Sequence, residues 1–133
     1  MCIFCEIIKG NIPSKKIYED DDILAILDIS QTTKGHTLVM PKEHYDNILE
    51  CPKETAAKLI NVAQDLSKEI TTNLNAKGFN LLVNTNEVAG QSVNHLHLHI
   101  IPRYDINDTI KVEFKENKFD LDQIQNEILK NGN

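Results

Sequence analysis

"HLHLHIIP", residues 95–102, puts His95, His97 and His99 on alternate positions of an otherwise apolar run, and these are three of the chain's five histidines. A period of two is that of a β-strand, so the three imidazoles should share one face while Leu96, Leu98 and Ile100 point into a core. Such a face has three readings. It can be a polar sheet surface, a metal site completed by a ligand from elsewhere, or a nucleophilic centre. A neutral imidazole attacks phosphorus well near neutrality because its ordinary pKa lies at about 6.5, and a covalent intermediate divides one hard displacement into two easier ones. No carboxylate adjoins the run to complete a hydrolytic metal site. The alternation alone does not separate metal from nucleophile.

Outward from the run the pattern changes period. "FNLLVNT" (79–85) reads as another strand, and "NTNEVAGQSVN" (84–94) as a polar loop turned at Gly90. Before it, Ala56, Leu59, Ile60, Ala63, Leu66, Ile70 and Leu74 recur at spacings of three and four, which predicts one long amphipathic helix between Pro52 and Gly78. "KKIYED" (15–20) and "DILAILDI" (22–29) read as a hairpin around an acidic turn, and "GHTLVMP" (35–41) as a third strand. "CIFCEIIKG" (2–10) reads as a short helix stopped by Gly10. "TIKVEF" (109–114) carries a weaker strand signal, and a last helix is expected around Leu121, Ile124, Ile128 and Leu129. Strands, one long helix, then more strands make an α+β chain around a largely antiparallel sheet.

A chain of 133 residues, 41% hydrophobic and 26% charged, suits one domain with one core. Twenty acidic against fourteen basic residues give a formal charge of −6, which disfavours broad nucleic-acid binding. No run approaches the roughly 18 apolar residues of a membrane span, and no basic segment followed by an apolar one marks an export signal. Cys2, Cys5 and Cys51 are an odd number, so a reducing cytoplasm is expected rather than a disulfide framework. The Cys2-x-x-Cys5 spacing is metal-like but weak by itself.

Extended to "GQSVNHLHLHIIPR" (90–103), the histidine run resembles the motif of the histidine-triad (HIT) family, in which three histidines alternate with apolar residues. "CIFCEIIKGNIPSKKIYEDD" (2–21), "AILDISQTTKGHTLVMPKEH" (25–44) and "LLVNTNEVAGQSV" (81–93) are similar in order and spacing to its Hit/Hint branch. The resemblance covers residues 2 to about 104 and leaves 105–133 as a C-terminal extension. It implies a single domain over 1–133 with the HIT-like fold: α+β, a five-stranded mainly antiparallel sheet, one long helix and short terminal helices.

The resemblance also implies a nucleotide hydrolase or transferase. His97 would attack the α-phosphorus of a purine nucleotide, and water would resolve the nucleotidyl-histidine. His99 would contact the phosphate and assist proton transfer, with His36 and Ser92 completing the catalytic set. Asp28 would take the ribose hydroxyls, with Asn84 and Gln91 around the phosphate. Phe4, Ile7, Ile26, Leu27 and Ile29 fall at the base pocket. The activity implied first is that of an adenosine 5′-phosphoramidase; a dinucleoside polyphosphate hydrolase and a nucleotide-binding scaffold with vestigial activity are the alternatives. Some members of the branch hold a structural Zn²⁺, and the matching positions are Cys2, Cys5, His44 and His95. A homodimer is implied, and no nucleic-acid or membrane partner. The tryptophan-containing C-terminus of the eukaryotic Hint pattern is absent, since the chain has no tryptophan.

Overall fold

Strict alternation in two apolar runs decides which side of the sheet meets which helix. A computed structural model describes residues 1–130. Its strands are β1 (Lys16–Glu19), β2 (Ile23–Leu27), β3 (Thr37–Pro41), β4 (Gly78–Val83) and β5 (Leu98–Arg103). They form one sheet in the order β1-β2-β3-β5-β4, antiparallel at every pair. The helices are α1 (Ile3–Ile8), α2 (Lys53–Asn73) and α3 (Leu121–Ile128).

Ile23, Ala25, Val39, Leu98 and Ile100 project to one face and meet Leu59, Ala63, Leu66 and Ile70 of α2. The intervening residues Leu24, Ile26, Leu38 and Met40 project to the other face, under Phe4 and Ile7 of α1. Full burial of side chains this size is worth about 1.5–3 kcal/mol each, so α2 is held chiefly by its stripe. Ile60, at the edge of that stripe, remains 46% exposed.

Two local devices fix the connections. Asp20 Oδ1 accepts from the backbone N–H of Asp22 and Ile23, both at 2.7 Å, and so turns β1 into β2. Gly35 sits at φ +93°, and a Cβ there would lie 2.6 Å from Leu74 Cδ1, so the turn into β3 admits no other residue without displacement.

Two expectations change. The last strand starts at Leu98 rather than His95. The Leu96 N–H is taken by the Tyr45 carbonyl at 2.7 Å, and the His95 carbonyl by the His97 side chain, so this stretch makes no sheet ladder. Sidedness survives nonetheless: Leu96 lies in the α2 core. "TIKVEF" is not a strand; Thr109 Oγ1 donates to the Thr32 carbonyl and Arg103 Nη2 to the Ile110 carbonyl, and no strand pairs with it among the described residues. The last helix forms, capped by Asp120 on the Gln123 N–H at 3.2 Å, but buries no residue. Among the described residues no helix is long and apolar enough to cross a membrane.

Candidate active site

The site lies on the α1 side of the sheet, opposite α2. Phe4 and Ile7 from α1, Ile26 and Leu27 from β2, Asp28 and Ile29 just after it, and Ser92, His97 and His99 line a cleft of about 250 Å³. Leu38 and Val93, which sequence reasoning passed over, line it as well. Ile29 is 98% exposed at the rim, whereas Phe4 and Ile7 are buried in the wall. The Phe4 ring meets His97 edge-on, with centroids 5.0 Å apart.

The protons on the histidines follow from what each ring touches. His97 Nδ1 lies 2.7 Å from the His95 carbonyl oxygen. A carbonyl only accepts, so Nδ1 carries the proton and Nε2 keeps its lone pair. The Thr32 N–H donates to His36 Nδ1 at 3.3 Å, which leaves the His36 proton on Nε2. That Nε2–H donates to His99 Nδ1 at 2.9 Å, so His99 in turn carries its proton on Nε2. One ring therefore keeps an unprotonated nitrogen, and its neighbour keeps a donor.

Burial favours these neutral forms. It holds His97 below the ordinary histidine value, and His36 too, where Asp28 opposes the effect. His99 is pushed down to about 4, first by burial and then by His97 and His36. Asp28 Oδ1 accepts from the Ser30 N–H at 2.8 Å, and Oδ2 stands 3.6 Å from His36 Nε2. Asp28, His36 and His99 converge closely enough to suggest a cation. The Thr32 contact argues against one, since the His36 nitrogen facing the group carries a proton rather than a lone pair.

Two expected ligand residues do not line the cleft. Asn84 Nδ2 donates to the Gly90 carbonyl at 3.3 Å. Gln91 is buried: its Oε1 accepts from the Asn86 N–H at 2.8 Å, and its Nε2 donates to the carbonyls of Asp46 at 2.5 Å and Val93 at 3.1 Å. Both side chains brace the loop that carries Ser92.

Beside the cleft a second cluster brings Cys2, Cys5, His44 and His95 together, their donor atoms within 4.8 Å of one another. His95 Nε2 faces the Pro41 carbonyl at 2.8 Å and His44 Nε2 the Asp46 carboxylate at 2.7 Å, so both rings keep their protons outward. Their Nδ1 lone pairs then oppose each other at 3.2 Å, flanked by Sγ atoms at 3.4 Å. A cation placed between them would take both lone pairs. Two thiolates and two imidazoles are the donor set of a closed structural zinc site, and the residues fit that ion. Asp46 was not foreseen, although it stands two residues after His44 in "EHYD".

A five-stranded antiparallel sheet with His99 on its β5 strand, and His95 and His97 on the segment leading into it, matches the HIT family structures. The HIT domain profile matches residues 9–106, and the chain belongs to that family. It is 48% identical over 131 residues to an uncharacterised HIT-like protein of Methanocaldococcus jannaschii, covering 96% of this chain and 98% of that one. It is 43% identical over 102 residues to an adenosine 5′-monophosphoramidase of Schizosaccharomyces pombe, covering 77% and 74%. The crystal structure of a HIT family member from Bacillus subtilis superposes with a TM-score of 0.90 at 46% identity, over 97% of this chain and 95% of that one. A zinc-bound histidine triad protein from Mycobacterium smegmatis matches with a TM-score of 0.79 at 38% identity, over 86% and 84%. Membership with hydrolase-named relatives supports an enzyme of the hydrolase type.

Proposed function

We propose that the protein is a purine nucleoside phosphoramidase, cleaving an adenosine or guanosine 5′-phosphoramidate to the monophosphate and an amine. The observation that carries this reading is the 2.7 Å contact from His97 Nδ1 to the His95 carbonyl, which leaves the Nε2 lone pair of His97 available in the cleft. His97 Nε2 attacks the α-phosphorus, a nitrogen–phosphorus bond forms, and the bond to the amine breaks. The departing amine takes up a proton from water through the Ser92 hydroxyl, which regains it from solvent, while His99 keeps its Nε2–H and donates a hydrogen bond to a phosphoryl oxygen. Water then displaces the imidazole and releases the monophosphate. Asp28 accepts from the ribose hydroxyls, and the base rests against Phe4 and Ile7.

The leaving group is argued from charge. Among the described residues no lysine or arginine lines the cleft or the open pocket beyond Ser92, which Glu87, Gly90, Gln91 and Asn94 complete. A polyphosphate leaving group needs cationic partners. An amine does not.

The Cys2, Cys5, His44 and His95 cluster is read as a structural zinc site that ties α1, a wall of the cleft, to the segment leading into β5. Zinc there holds the fold and takes no part in the reaction. β4 is a six-residue edge strand with Phe79, Leu81, Leu82 and Val83 partly exposed, and such an edge pairs readily with a second strand. A homodimer through β4 accords with it. The cysteines form no disulfide, in keeping with a cytoplasmic protein.

The test is incubation with an adenosine phosphoramidate and, separately, with a diadenosine polyphosphate. Release of AMP from the first at a much higher kcat/KM is expected. Preference for the second would overturn the leaving-group argument, and no turnover of either would overturn the enzyme reading.

A further inference from the structure

The loop from Asp28 to His36, between β2 and β3, holds three groups on which the proposed reaction depends: the Asp28 carboxylate, the His36 ring and the Thr32 N–H that sets its tautomer. Nothing periodic in "SQTTKG" explains why this loop keeps one shape. Gln31 does. Its Nε2 donates to the carbonyls of Asp28 at 2.6 Å and His36 at 2.7 Å, and its Oε1 accepts from the N–H of Gly35 at 2.7 Å and His36 at 3.1 Å. An amide has two donor protons and two acceptor lone pairs, so Gln31 is fully satisfied by backbone of its own loop. Both ends of the loop are thereby tied through one side chain, beside the backbone bonds from the Asp28 N–H to the His36 carbonyl at 3.0 Å and from the His36 N–H to the Thr33 carbonyl at 3.1 Å.

We propose that Gln31 is a positioning residue that fixes the proton arrangement of the His36–His99 pair and the placement of Asp28. This rests on the phosphoramidase reading. The chain of dependence is short. Gln31 folds the loop back, and the fold lays the Thr32 N–H on His36 Nδ1. His36 then presents Nε2–H to His99 Nδ1, and His99 presents Nε2–H to the cleft. Without the Thr32 contact His36 is free to take the opposite tautomer. His99 Nε2 then becomes an acceptor, which repels a phosphoryl oxygen instead of stabilising it.

Two variants test this, with the phosphoramidate as substrate and nitrogen NMR on labelled histidine as a second readout. Gln31→Ala should lower kcat by about 10²-fold, the scale of one lost donor to a charged oxygen in the transition state, and should mix the tautomers of His36 and His99. Gln31→Glu keeps the shape but turns a carboxylate on two carbonyls when ionised; when protonated it restores one donor. Facing position 31 are the Asp28 carboxylate and the buried neutral His36, with Lys15 across a shared surface pocket. The carbonyls and Asp28 raise the pKa of the new carboxyl, while Lys15 and the N–H groups of Gly35 and His36 oppose them. The ratio of Gln31→Glu to wild-type activity should therefore rise as pH falls. A mere loop staple would change stability without bending this ratio. A ratio flat with pH would overturn the proposal, and so would unaltered tautomers in folded Gln31→Ala. Because NMR needs no turnover, an inactive wild type would refute the phosphoramidase reading while the tautomer comparison still decides on Gln31.

Discussion

His95 offers its ring to the four-residue cysteine–histidine cluster and its carbonyl oxygen, 2.7 Å away, to His97 Nδ1. One residue thus joins the proposed metal site to the proposed nucleophile through its own backbone. The consequence is specific to His97. His97→Ala should lower phosphoramidate turnover by at least about 10³-fold while binding of the monophosphate product survives, because the residue supplies the attacking atom. Rapid acid-quench of the wild type followed by peptide mass analysis should find the nucleotidyl adduct on the peptide containing His97. Retention of more than a tenth of the rate would move the nucleophile elsewhere.

The pH profile follows from burial. His99 is held down to about 4 and His97 and His36 below their ordinary range, so all three stay neutral where an exposed histidine would already be protonated. A depressed folded-state pKa means that the neutral, competent form is kept above that pKa and lost only as pH falls through it. kcat/KM should therefore hold level from pH 8 down to about 6.5 and decline only below. The same protonation opposes folding, so thermal stability should fall in the same acid window. An acid limb centred at or above about 6.5 would contradict the neutral triad.

Periodic burial is what sequence displays best, and α2 and the β2–β3 pair show why. Leu59, Ala63, Leu66 and Ile70 are forced onto one stripe by the helical repeat, and Leu24 and Ile26 onto one sheet face by the pleat. His95 and His97 kept the sidedness of a strand without its ladder, because the Leu96 N–H found Tyr45 instead. "TIKVEF" alternates as a strand should, but Thr109 is held on the Thr32 carbonyl and the Ile110 carbonyl on Arg103, distant contacts that no local pattern reports. Asn84 and Gln91 sit in the matched block, yet a polar side chain in a loop can serve a ligand or the backbone equally well; here Asn84 Nδ2 and both ends of the Gln91 amide bond backbone. Gln31 acts through four hydrogen bonds to its own loop and Asp46 through one to His44, arrangements with no period at all.

Asp46 gives a test of the metal site that leaves every direct ligand in place. Its carboxylate receives the His44 Nε2–H at 2.7 Å and so keeps Nδ1 turned towards the cysteines. Protein purified without a metal column should carry about one zinc per chain, as a closed four-ligand site requires. Asp46→Asn should weaken zinc binding about 10–100-fold in a competition with a chromogenic chelator, the range for partners that orient a metal-bound histidine. Stripping the ion should also lower the melting temperature, since the site binds only the folded chain. Metal-free protein with Cys2 and Cys5 both rapidly alkylated and no change in melting on adding zinc would remove the site.

The exposed edge of β4 makes the last prediction. A six-residue strand with one unpaired edge, carrying Phe79 at 43% and Leu81 at 38% exposure, leaves backbone donors and apolar side chains together in water. Antiparallel pairing with the β4 of a second copy satisfies both at once and continues the sheet. Sedimentation at micromolar concentration should then report a dimer. Leu81→Lys places a charge on the pairing strand of each copy and should shift the protein to monomer with little change in far-UV circular dichroism, because the side chain is not part of either buried cluster. The β5 side of β4 keeps its ladder, Leu81 opposite Ile100 and Leu82 opposite His99, so loss of the dimer need not unfold the sheet. A wild type that sediments as a monomer at every concentration would refute the pairing; a Leu81→Lys dimer as tight as wild type would place the interface away from β4.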